Sequence, residues 1–75
     1  MTGREATGGI TLWVNGEARA YAPGTTLAAV VGELSRAPSG IAAAVNEAVV
    51  PRGRWPVTAL ADGDRIEVLT AVQGG

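Results

Sequence analysis

The stretch Ile10-Thr11-Leu12-Trp13-Val14-Asn15-Gly16 decides how this chain begins to fold. Its first, third and fifth residues are apolar and share one face, which predicts a β-strand that packs on a core. Asn15-Gly16 is the strongest short signal for a hairpin, because both residues tolerate a positive φ. A return strand is predicted over residues 17–22, where Pro23-Gly24 ends it. The chain therefore begins with a predicted β-hairpin.

A helix is predicted after the hairpin, because four apolar residues recur at the i, i+3, i+4 and i+7 spacing of one helical face. These residues are Leu27, Val30, Val31 and Leu34. Thr25 or Thr26 is the predicted cap. Gly32 in the interior costs about 1 kcal/mol relative to alanine, so packing on a sheet must hold the helix in place. The helix is predicted to end before Pro38.

The remainder of the chain predicts three more strands and an irregular crossover. The strands span residues 41–45, 48–50 and 65–72. Asn46-Glu47 and residues 62–64 are predicted turns. The crossover over residues 51–60 holds two prolines, and we interpret its Trp55 as the plug of that loop. One helix against a mixed sheet is an α+β arrangement, and a ubiquitin-like β-grasp fold with the last strand beside the first satisfies this order.

Composition excludes several classes of function. The 6 basic residues are all arginine and face 7 acidic ones. A net charge of −1 argues against nucleic acid, which requires a basic stripe. Cysteine, histidine and lysine are absent, which removes the thiolate nucleophile, the usual general base and the Schiff-base amine. We therefore expect no enzyme active site and no bound cofactor. Asp62 and Asp64 flank a glycine and predict a turn, not a metal site.

The predicted organisation is a single domain with two flexible ends. Residues 1–9 are polar and glycine-containing and are predicted to form a flexible extension. The β-grasp domain is predicted over residues 10–72, and residues 73–75 are predicted to form a flexible tail. No apolar run has the length of a signal peptide or reaches the ~18 residues of a membrane span. We therefore expect the cytoplasm as the compartment and no membrane partner.

The tail Gln73-Gly74-Gly75 suggests a chemical role for the chain end. Glycine has no Cβ, so such a stem enters channels too narrow for a side chain. Three residues extend about 10 Å beyond Val72. The terminal carboxylate is ionised at neutral pH and resists nucleophiles until it is activated, for example as an acyl-adenylate from ATP. Once activated, it can accept sulfur as a thiocarboxylate. We expect Gly75 to carry this chemistry; a frayed end without function is the alternative.

A docking surface is predicted beside this tail. On the last strand, the core set is Ile66, Val68, Thr70 and Val72. The opposite, outer face carries Arg65, Glu67, Leu69, Ala71 and Gln73. Trp13 lies on the same outer face of the first strand. If the two strands are neighbours, Trp13, Leu69 and Ala71 form an apolar patch that binds a partner. The alternative is that Trp13 only covers the sheet or is covered by residues 1–9.

Several stretches together resemble a known family. They are Ala44-Val45-Asn46-Glu47-Ala48-Val49-Val50-Pro51-Arg52 with Trp55, Asp62-Gly63-Asp64-Arg65-Ile66-Glu67-Val68, and the terminal Gly74-Gly75. In this combination, from Ile10 to Gly75, the chain resembles the sulfur carrier family of the thiamin pathway (ThiS-like). Each stretch alone is a weak signal, and the combination is specific. The resemblance implies a ubiquitin-like β-grasp fold.

The resemblance also implies a reaction cycle and its partners. An E1-like adenylyltransferase activates Gly75 with ATP, and a sulfur donor such as a cysteine desulfurase supplies the sulfur for a thiocarboxylate. Thiazole synthase then takes the sulfur for the thiazole ring of thiamin. By position, Gly75 bears the sulfur and Gly74 is its stem. The additional residues 1–9 and the bulky Gln73 depart from the family pattern.

Three other functions remain open from the residues. One is the small subunit of molybdopterin synthase, which shares the fold and the tail. Another is a ubiquitin-like interaction module whose glycines are accidental, and the third is a protein modifier that forms isopeptides. The sequence VVPRGRW over residues 49–55 favours the thiamin pathway. The absence of a proline just before the tail agrees with it.

Overall fold

A computed structural model describes residues 9–34 and 40–70, which form a mixed β-sheet with a helix packed on one face. The strands are β1 (Ile10–Val14), β2 (Glu17–Tyr21), β3 (Ile41–Val45), β4 (Ala48–Val50) and β5 (Arg65–Thr70). The helix α1 spans Leu27–Leu34, and a 3₁₀ helix spans Arg52–Val57 within the predicted crossover. The predicted order of elements is confirmed. Residues 1–8 of the predicted extension, the predicted strand residues 71–72 and the predicted tail at residues 73–75 lie outside the described ranges.

The strand order in the sheet is β2-β1-β5-β3-β4. The β1–β2 hairpin is antiparallel, with Val14 opposite Glu17. The last strand, β5, enters between the hairpin and β3: it runs parallel to β1 and antiparallel to β3. This insertion of the last strand beside the first is the β-grasp arrangement, so the predicted fold class is confirmed.

The core lies between α1 and one face of the sheet. Its buried residues come from alternate positions of the strands, the predicted face of the helix and the crossover: Leu12, Val14, Leu27, Val30, Val31, Ala43, Trp55, Leu60, Ile66 and Val68. Full burial of one valine, leucine or isoleucine side chain stabilises the folded state by about 1.5–3 kcal/mol. Thr70 shares the core face of β5, as predicted, but is exposed. Val68 is the last buried residue of β5.

The start of the helix and the edge strand β2 are tied down by polar side chains. Thr26 is the cap, since its Oγ1 accepts a hydrogen bond from the Ala29 N–H at 3.3 Å. The Thr25 hydroxyl donates instead to a carbonyl upstream of the helix at 2.7 Å. The Tyr21 hydroxyl donates to Glu33 Oε1 at 2.8 Å and so joins β2 to α1. Burial of the phenol and this contact with Glu33 raise the pKa of Tyr21.

Trp55 closes the crossover, as predicted. Its side chain is 6% exposed, and its Nε1 donates to the Val50 carbonyl at 2.8 Å. The guanidinium carbon of Arg52 lies 5.6 Å from the centre of a Trp55 ring, within range of a cation–π contact. The indole thus fills the core and fixes the 3₁₀ helix to the end of β4.

Candidate functional site at the last strand

The strand that leads to the predicted tail is held differently along its two edges. On one edge, β3 pairs with β5 from Ile66 to Thr70. On the other edge, β1 pairs only with Arg65 and Ile66, at the beginning of β5. Beyond Ile66, the register places no described strand on this second edge. The predicted tail therefore continues from a strand that one neighbouring strand, β3, supports up to Thr70.

The Asn15 side chain takes the place of the missing strand. The Asn15 backbone N–H donates to the Ile66 carbonyl at 2.9 Å, as the last backbone bond between the two segments. Its side-chain Oδ1 accepts from the Val68 N–H at 2.9 Å, and its Nδ2 donates to the Val68 carbonyl at 3.4 Å. A carboxamide carries the same donor and acceptor as a peptide group. The Asn15 carboxamide thus bonds to Val68 as the backbone of one more strand residue would.

A second asparagine acts in the same way at the beginning of β5. The Asn46 backbone N–H donates to the Arg65 carbonyl at 2.7 Å, and its Oδ1 accepts from the Arg65 N–H at 3.0 Å. Its Nδ2 donates to Asp64 Oδ1 at 3.0 Å. Both asparagines have a positive φ, 51° for Asn15 and 50° for Asn46, because each is the first residue of a two-residue hairpin turn. The β1–β2 and β3–β4 hairpins thereby hold opposite halves of β5.

The two carboxylates of the predicted turn at residues 62–64 accept hydrogen bonds from backbone N–H groups. Asp64 Oδ2 accepts from the Ala61 N–H at 2.9 Å, and Asp62 Oδ1 accepts from the Thr11 N–H at 2.7 Å. These contacts confirm the tight turn. Within residues 9–34 and 40–70, no group of three or more histidine, cysteine or acidic side chains is placed to hold a metal ion.

Trp13 and Leu69, two members of the predicted patch, lie at different positions along the outer face of the sheet. Trp13 and Leu69 are both exposed, by 46% and 64%, and both lie on the outer face of neighbouring strands, as predicted. However, the parallel register places Trp13 beside Arg65 at the beginning of β5, whereas Leu69 lies opposite Ala42 of β3. Leu69 lies four positions after Arg65, so the two side chains are about 13 Å apart along the strand.

Leu69 is therefore the described member of the patch that lies near the predicted tail, and Trp13 belongs to the other end of the outer face. Partner binding by either residue stays a prediction. Ala71, Gln73, Gly74 and Gly75 lie outside the described residues, so their predicted roles also stay predictions. No helix among the described residues has the length and apolar character needed to cross a membrane.

The contacts of the two asparagine side chains with β5 were not predicted from the sequence. Asn15 and Asn46 were predicted only to form turns. A signal was present, because an asparagine opens both two-residue turns of the chain. What could not be read from the sequence is that each carboxamide reaches a strand that the hairpin itself does not contain.

The mixed sheet with one packed helix defines a ubiquitin-like β-grasp protein, and comparison with known proteins identifies its family. The family model described as the ThiS family matches residues 12–75, so the chain belongs to that family. The crystal structure of a thiamine biosynthesis protein (ThiS) from Geobacter metallireducens has the same fold, with a TM-score of 0.71 and 26% identity. The similarity covers 88% of this chain and 100% of that one. The resemblance to ThiS-like proteins is thereby confirmed.

The chain is similar both to a protein of about its own length and to segments of much longer proteins. The sulfur carrier protein ThiS of Escherichia coli (strain K12) is 33% identical over 61 residues, which are 81% of this chain and 92% of the relative. A thiazole synthase of Paramagnetospirillum magneticum is 33% identical over 85% of this chain, and one of Magnetococcus marinus is 39% identical over 83% of it. The chain spans only 20% and 19% of the lengths of these two proteins. A segment similar to this chain therefore occurs within proteins named thiazole synthase.

Proposed function

We propose that this protein is a sulfur carrier of thiamin biosynthesis whose Gly75 carboxylate is adenylated and then converted to a thiocarboxylate. The observation that carries this assignment is the match to the ThiS family, which continues through residue 75. This match and the similarity to the sulfur carrier protein of Escherichia coli support the predicted function, a sulfur carrier of the thiamin pathway. The molybdopterin synthase alternative has no comparable support.

The proposed chemistry takes place at the chain end. A carboxylate oxygen of Gly75 attacks the α-phosphate of ATP, pyrophosphate leaves, and an acyl-adenylate forms. A sulfur nucleophile at the oxidation level of sulfide then attacks the acyl carbon and displaces AMP, which leaves the thiocarboxylate. Gly74 and Gln73 form the stem, and glycine at position 74 keeps the approach to the acyl carbon free of a side chain.

The proposed partners supply the catalytic groups that the chain lacks. The sequence contains no cysteine, histidine or lysine, so we infer that the protein serves as a co-substrate and not as an enzyme. An E1-like adenylyltransferase would bind ATP and catalyse activation. A donor such as a cysteine desulfurase would deliver the sulfur as a persulfide, and a thiol reductant, itself oxidised to a disulfide, would bring that sulfur to the oxidation level of sulfide. Thiazole synthase would accept it, in line with the occurrence of similar segments within proteins of that name. We place this chemistry in the cytoplasm, where ATP is available, and propose no bound cofactor.

Mass spectrometry of the C-terminal peptide tests the proposal. After incubation with ATP, the cognate adenylyltransferase and a sulfur source, we expect the C-terminal peptide to gain about 16 Da, since sulfur replaces one oxygen. Deletion of Gly75 should abolish the gain, because the reacting carboxylate moves to a different place on the stem. The matched control Gln73→Ala changes the neighbouring side chain and should keep the gain.

Two results would contradict the proposal. One is a wild-type chain that stays unmodified with all components present, and the other is a chain without Gly75 that still gains sulfur. Circular dichroism of each variant shows whether the β-grasp domain is intact, so a loss of transfer cannot be confused with unfolding.

A further inference from the structure

Along the β1 edge of β5, the hydrogen bonds of the described residues end at Val68. In a β-strand, the N–H and C=O groups of alternate residues point to the same edge. The Ile66 carbonyl and the Val68 N–H both bond to Asn15, so the β1 edge carries the even-numbered groups of β5. The Thr70 N–H and C=O are the next groups on this edge. Among residues 9–34 and 40–70, no backbone hydrogen bond to Thr70 from this edge is present.

Val68 is therefore the last residue of β5 that the described structure holds on both edges. Ala43 lies opposite it on the β3 side, and the Asn15 carboxamide binds it on the other side. Leu69 and Thr70 keep only their β3 neighbours, Ala42 and Ile41. The contacts of Asn15 with Val68 are partly buried and join residues 53 positions apart. They couple the first hairpin to the part of β5 that precedes Leu69 and Thr70.

We propose that Asn15 is a positioning residue for sulfur transfer, because its carboxamide is the last contact within the described residues that holds β5 on the β1 side before the predicted tail. The inference rests on the proposed function of Gly75. From Val68, the seven residues to Gly75 extend at most about 25 Å. If the bonds of Asn15 are lost, Val68 is also held by β3 alone, as Leu69 and Thr70 already are, and the direction in which the tail leaves the domain is less defined. A partner must then order these residues when it binds, which weakens binding without altering the chemistry at the acyl carbon.

The variant that tests this role is Asn15→Gly. Glycine accepts the positive φ at this position, so the turn is kept and only the carboxamide is lost. Asn46→Gly is the matched control, since it makes the same change in a turn with the same φ but at the opposite end of β5. Asn15→Asp is the conservative variant, because it restores an oxygen that can accept from the Val68 N–H.

Two measurements give the expected results. In ATP–pyrophosphate exchange with the cognate adenylyltransferase, Asn15→Gly should raise the KM for the carrier about fivefold and leave kcat within about twofold. Asn46→Gly should change neither constant by more than about twofold, and Asn15→Asp should recover part of the KM. By hydrogen exchange, the Val68 amide should lose protection at least about tenfold in Asn15→Gly and keep it in Asn46→Gly.

The outcomes separate the two hypotheses. An unchanged KM for Asn15→Gly, or an equal rise for Asn46→Gly, overturns the positioning role while adenylation of the wild-type protein stands. An unchanged exchange rate of the Val68 amide in Asn15→Gly overturns it as well. If the wild-type protein supports no exchange at all, the proposed function fails and the inference fails with it.

Discussion

The turns at Asn15-Gly16 and Asn46-Glu47 have the same backbone shape but different support. Both join antiparallel strands through two residues of positive φ, at 51° and 86° in the first turn and 50° and 74° in the second. In the first turn, glycine holds the second position without strain. In the second turn, Glu47 holds it, although a left-handed conformation costs a residue with a Cβ about 1–2 kcal/mol. Each turn then sends its asparagine side chain across to β5.

The difference between the turns follows their place on β5. The contacts of Asn15 with Val68 are partly buried and lie at the half of the strand that leads to the predicted tail. The contacts of Asn46 with Arg65 and Asp64 are exposed and lie at the beginning of the strand. A carboxamide removed from water is harder to replace than one in water. We therefore expect an asparagine carboxamide to stabilise the fold more beside Val68, where no described strand flanks the β1 edge of β5, than beside Arg65, where a tight turn supports the chain.

The largest expected effect comes from removing both carboxamides. We expect Asn15→Gly to lower the free energy of unfolding by about 2 kcal/mol, because it leaves a partly buried Val68 N–H without a partner. We expect Asn46→Gly to cost about 1 kcal/mol, since water can replace its exposed bonds. The double variant should cost about 3 kcal/mol, as expected for sites that do not touch. Urea unfolding with a check of the m-value measures all three. Equal costs for the single variants would break the comparison.

The second expected effect concerns the glycine of the first turn. An added Cβ at Gly16 meets nothing within 4 Å, so any cost of Gly16→Ala arises from its φ of 86°. We expect a loss of about 1 kcal/mol by urea unfolding. The control Gly32→Ala also meets open space but lies inside α1, where alanine should instead stabilise by about 1 kcal/mol. A neutral Gly16→Ala variant would show that this turn relaxes freely.

The smallest expected effect concerns Glu47 in the second turn. Glu47→Gly should stabilise the fold by about 0.5 kcal/mol, because relief of the left-handed strain exceeds the entropy that glycine adds to the unfolded chain. The Glu47 carboxylate lies 3.8 Å from the Arg65 guanidinium, and so exposed a pair adds little. Glu47→Ala separates the effect of the backbone strain from that of the ion pair. It removes the pair but keeps the Cβ, so it should not stabilise the fold. If glycine proves destabilising by thermal and urea unfolding, the exposed pair outweighs the strain.

The local elements were predictable because their signals lie close together in the chain. Alternation over β1, the helical spacing over α1 and the asparagine turns each need only a few neighbouring residues. The patch of Trp13 and Leu69 was predicted less well, because alternation assigns a residue to a face but not to a position along the neighbouring strand. The parallel register, with Trp13 beside Arg65, decides that position.

The sequence by itself determined the strands, the helix, the turns and the absence of the side chains that most enzymes use for catalysis, since these follow from residue type and short-range spacing. Only the tertiary structure decided how β5 is held: where burial ends on its core face, how Trp13 and Leu69 are separated, and that Asn15 binds Val68. These properties depend on contacts between residues about 50 positions apart in the chain. Such contacts are set by packing of the whole sheet against α1, and no local pattern encodes the register that results.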